Sequence, residues 1–119
     1  MAEALARHLA SDIIEAESAG VSPFGRIADM TRSVLHERGI ETEKLRSKGL
    51  RDTAAFFPDL VINMSGITGK SLFPGIAHED WEVEDPWGED VVTYRRICED
   101  IEERVRDLAE RLRRETATP

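Results

Sequence analysis

The sequence predicts an α/β sandwich around a short parallel sheet, and three observations carry that prediction. Leu60-Val61-Ile62-Asn63-Met64 is an apolar run too short for a helix and typical of a buried parallel strand. From about Asp90 to Arg114, the residues Tyr94, Ile97, Ile101, Val105, Leu108 and Leu112 recur every three or four positions, which marks an amphipathic helix whose seam must lie on something. Helices alternate with short apolar runs along the chain, an order that implies parallel βαβ crossovers. At 119 residues with 40% hydrophobic content there is apolar material for one domain, 1–119, and too little for two.

Met1 to Ala10 reads as an Ala-rich helix without a cap of its own, with Leu5 and Leu9 four apart on one face. Ile13 to Ser18 is a β-like run closed by Ala19-Gly20, and Val21-Ser22-Pro23-Phe24-Gly25 has turn chemistry. Ile27, Met30 and Val34 then recur at helical spacing up to Gly39, a residue suited to end a helix in a left-handed conformation. Glu41 to Lys44 is a polar link into Leu45 and a short helix that ends before Pro58. Asp59 opens the Leu60 to Met64 strand, and Ile76 to Val83 is a second strand, interrupted by His78, Glu79 and Asp80.

The formal net charge of −8 argues against a nucleic-acid surface, because counterion release needs clustered Lys and Arg, and here the C-terminal arginines alternate with carboxylates. No segment approaches the roughly 20 apolar residues that cross a bilayer, and Met1-Ala2-Glu3-Ala4 lacks the layout of a signal peptide; the expected location is the cytoplasm. One cysteine, Cys98, provides neither a disulfide framework nor a zinc site, and its place on the apolar stripe of the last helix makes it a packing residue. His8, His36 and His78 fall on separate elements and form no ligand set, so no metal or organic cofactor is implied.

The most informative stretch is Trp81-Glu82-Val83-Glu84-Asp85-Pro86-Trp87-Gly88. An aspartate ahead of a proline is held in a loop with one backbone angle fixed, which suits a proton donor and makes Asp85 a candidate general acid; the alternative is a turn-capping aspartate. A second motif, Met64-Ser65-Gly66-Ile67-Thr68-Gly69-Lys70-Ser71, ends like a nucleotide-binding loop that wraps phosphates in backbone N–H groups. Against it, Met64 stands where the first glycine belongs, and Pro74 falls where a helix should be running.

Taken in order, several pieces resemble the low-molecular-weight protein tyrosine phosphatases and the arsenate reductases that share their fold. They are Met1-Ala2-Glu3-Ala4-Leu5, Glu17-Ser18-Ala19-Gly20, Glu37-Arg38-Gly39-Ile40, Arg46-Ser47-Lys48, Asp59-Leu60-Val61 and Asp85-Pro86-Trp87-Gly88. The resemblance implies a three-layer sandwich and phosphomonoester hydrolysis through a cysteinyl-phosphate, with Asp85 as the acid and Trp87 and Phe24 as aromatic walls for the substrate. Half-buried packing for Trp87 and a core position for Phe24 are the alternatives. It also implies a strand and a Cys-x5-Arg-Ser phosphate loop directly before Met1, so the chain is expected to lack its central strand and its nucleophile and to be inactive alone. Cys98 and Arg104 have the spacing of that loop but lie inside a helix, where the amides are already bonded.

The substrate implied for the intact family is a phosphorylated protein or a small phosphoester. Without the central strand, the flanking strands Ile13 to Ser18 and Leu60 to Met64 either pair or invite a partner, and a homodimer or larger homo-oligomer covering this region is expected. Three alternatives stand beside the truncated phosphatase: a non-catalytic interaction module of the same fold, a nucleotide binder using Gly66 to Ser71, and an arsenate reductase relative. The last lacks the further cysteines of a thiol relay, since none lies between Asn63 and Gly75.

Overall fold

The computed structural model describes residues 1–19, 29–43, 45, 58–67, 75–84 and 88–117. Within them run helix α1 (Ala2–Ala10), helix α2 (Asp29–Glu37), strand β1 (Val61–Asn63), strand β2 (His78–Asp80) and the long helix α3 (Val91–Ala117). Helix α1 starts without a side-chain cap and carries Glu3 in its first turn, where a carboxylate complements the helix dipole. Helix α2 stops at Gly39, which takes φ 73°. There Gly39 N donates to His36 O and Ile40 N donates to Leu35 O, each at 3.0 Å, the paired bonds of a Schellman ending. Asp90 caps α3, its Oδ1 accepting from Thr93 N at 2.9 Å.

The seam expected for α3 is what the other helices bury. Tyr94, Ile97, Cys98, Ile101 and Val105 pack with Leu5 of α1 and with Val34, Leu35, Ile40 and Leu45, the last two lying beyond α2. Leu35, Cys98 and Ala10 are completely buried, whereas Met30, placed on the apolar stripe of α2 by its spacing, is exposed. Ion pairs bind the rims of the packed helices: Arg95 to Glu37, Arg38 to Glu102, and Arg113 to Asp12.

Strands β1 and β2 pair in parallel, with Val61 opposite His78 and Asn63 opposite Asp80. This is the short parallel sheet anticipated from Leu60 to Met64 and Ile76 to Val83, with each strand trimmed to its centre. Trp81 and Val83, just past β2, lean on the helical core. The strand expected at Ile13 to Ser18 does not form. Residues 11–13 make a turn instead, and 14–19 run irregularly beside α1. The reason is visible in their partners: Ala16 O, a carbonyl that a ladder would use, accepts from Arg7 Nη2 at 2.9 Å, and Ser18 Oγ donates to Glu3 Oε1 at 2.5 Å, so side chains of α1 hold this run against the helix. The short helix expected between Leu45 and Pro58 falls on residues 46–57, outside the described ones. Among the described residues, no helix is long and apolar enough to cross a membrane.

Candidate functional site

Asp85, Trp87 and Phe24 lie outside the described residues, as do Lys70 and Ser71 of the nucleotide-loop motif. The structure does describe both flanks of the Asp85 segment. On the upstream side, Trp81 N donates to Asn63 O at 2.8 Å, extending the β2 side of the sheet by one residue. The indole Nε1 of Trp81 donates to Glu79 Oε1 at 3.3 Å, and the Arg104 guanidinium stands 5.8 Å from the centre of its ring. Arg104 also donates to Glu82 O at 3.1 Å, and Arg96 to Glu84 Oε2 at 2.9 Å. Downstream, Gly88 resumes at φ 81°, a conformation that L side chains adopt at a cost, and Asp90 then caps α3. The two flanks of the Asp85 segment, a strand end and a helix start, are therefore both tied to α3.

Charge around this flank is paired. Arg111 donates through both Nη atoms to Glu79 at 3.0 and 3.2 Å, and this bond holds the Glu79 carboxyl below its ordinary pKa. The Asp90 carboxyl is lowered too, chiefly by the Thr93 N–H it accepts. Trp81, Arg104 and Arg111 line an open cleft of about 420 Å³ together with Asp107, Glu110 and Arg114.

The chain's one thiol is elsewhere. Cys98 is completely buried in α3, and burial pushes its pKa up, the opposite of what activates a nucleophile. Glu3 and Ser18, from two of the sequence pieces singled out above, meet as a hydrogen-bonded pair, with Arg7 Nη1 3.3 Å from the second Glu3 oxygen.

Asn63 is the residue that sequence reasoning passed over. In the sequence it is one more member of an apolar strand, yet in the structure it is buried and fully engaged at the carboxyl end of the parallel sheet, where ligands of such sheets bind. The available signal was a polar residue at the end of an apolar run, followed at once by Ser65 and Gly66 of turn composition.

With this geometry established, comparison with known proteins locates the chain. The family model described as low molecular weight phosphotyrosine protein phosphatase matches residues 1–118. A glutaredoxin arsenate reductase of Synechocystis is 30% identical over 112 residues, which cover 91% of this chain and 84% of that protein. Among solved structures, an arsenate reductase from Archaeoglobus fulgidus superposes with a TM-score of 0.79 at 32% identity, covering 92% of this chain and 87% of that one. The YwlE arginine phosphatase of Geobacillus stearothermophilus gives 0.75 at 25% identity, covering 98% and 85%.

Proposed function

The chain belongs to the low-molecular-weight phosphotyrosine protein phosphatase family, and from that premise we propose that its site serves phosphomonoester hydrolysis, with Asp85 as the proton donor. Asp85 protonates the leaving oxygen of a phosphorylated protein or small phosphoester and then, as a carboxylate, draws the proton from the attacking water. Trp87 and Phe24 are the walls for the substrate's ring. The observation that carries this reading is the anchoring of both flanks of the Asp85 segment, Trp81 to Glu84 by Asn63, Arg96 and Arg104, and Gly88 to Asp90 by the start of α3. A general acid contributes only when its approach angle is set, and these contacts set the two ends from which it is held.

The nucleophile is a separate matter. Family chemistry through a cysteinyl-phosphate needs an accessible thiolate, and the one cysteine among these 119 residues is sealed in α3 with its pKa raised. The 119 residues alone are therefore proposed to turn over no phosphoester, the thiolate having to come from outside them. The test is hydrolysis of p-nitrophenyl phosphate by this chain beside a form extended through the in-frame upstream codons. Activity in the extended form alone, reduced by Asp85→Asn, supports the reading. Silence in both forms moves it to a non-catalytic interaction module, and activity in the short form refutes the assignment of the thiol.

A second reading, arsenate reduction, is favoured by the relatives named above. It requires two electrons delivered by thiols, and the further cysteines of a relay, expected after β1, do not lie between Asn63 and Gly75, so hydrolysis stands ahead of it. Arsenite formation by this chain with glutaredoxin would reverse that order. Self-association is proposed alongside: among the described residues β1 pairs only with β2, and its other edge is suited to a second copy. Sedimentation showing only monomer at micromolar concentration would count against a dimer.

A further inference from the structure

We draw no further inference here: the strongest candidate, the open cleft between Trp81 and the outer stripe of α3, sets the carboxylates of Asp107 and Glu110 beside the guanidiniums of Arg104 and Arg111, which are already bonded to Asp100, Glu82 O and Glu79, so nothing in the structure shows what it would bind.

Discussion

The functional account turns on whether the chain's only thiol can reach solvent, and Cys98 allows that to be measured directly. Its side chain has 0% exposure, sits on the face of α3 covered by α1 and α2, and carries a raised pKa caused first by burial. A thiol in this position reacts only when the helical core opens. For a domain with about 5 kcal/mol of stability, and tenfold for each 1.4 kcal/mol, about one molecule in a few thousand is open at any moment. Labelling by a disulfide reagent such as dithionitrobenzoate at pH 8 should therefore run about 10³-fold or more below the rate measured in urea. The slowing should vanish in parallel with unfolding followed by circular dichroism. Stoichiometric labelling within the mixing time in native buffer would refute the argument, because it would put an accessible thiol in this chain and return Cys98 to the list of nucleophiles.

Other predictions follow from the same packing. Leu35→Ala empties a fully buried position beneath α3 and should cost about 2–5 kcal/mol, read as a lowered urea midpoint. Gly39→Ala should cost about 1–2 kcal/mol purely through the backbone, since an added Cβ meets nothing within 4 Å while φ stays at 73°; an unchanged midpoint would show that the Schellman ending is not required. Asp12, Glu37, Glu79 and Asp90 all have lowered pKa values, the first three chiefly through arginine partners and Asp90 through the Thr93 N–H. A lowered carboxylate stabilises the fold fully above its ordinary pKa, 3.8 for Asp and 4.5 for Glu, and loses that contribution as pH falls through the depressed value. The contribution of these four carboxylates to the urea midpoint should thus be level from neutral pH down to about 4.5 and then fall, and Arg111→Gln should shrink the fall by removing the partner of Glu79; a midpoint that does not fall between pH 4.5 and 2 would contradict the assigned pairs.

What was legible in the sequence is what periodicity encodes. The apolar repeat from Tyr94 to Leu112 located α3, Gly39 located the end of α2, and the run from Leu60 to Met64 located β1, because each signal is local and repeated or rests on one backbone requirement. Ile13 to Ser18 misled for the complementary reason. Its composition suits a strand, but a strand exists only when a ladder partner takes its N–H and C=O groups, and here Arg7 takes the Ala16 carbonyl while Glu3 holds the Ser18 side chain. Partner choice is a tertiary fact that composition does not carry. Asn63 was missed on the same ground: in the sequence it is one polar letter in an apolar word, and only the parallel register that sets it opposite Asp80 reveals four side-chain bonds.

That register also bears on which chemistry the site can support. An acid loop is useful to a hydrolase because a proton must reach the leaving oxygen, whereas a thiol-based reduction of an oxyanion draws its power from cysteines. In this chain the described contacts lie on the two flanks of the Asp85 segment: a guanidinium beside Trp81, the Glu82 carbonyl held by Arg104, and a capped helix downstream. Its single cysteine, by contrast, is spent on packing. If electron transfer were the activity, Asp85→Asn would leave the rate unchanged. If proton donation is the activity, the same substitution should cost most where the leaving group most needs its proton.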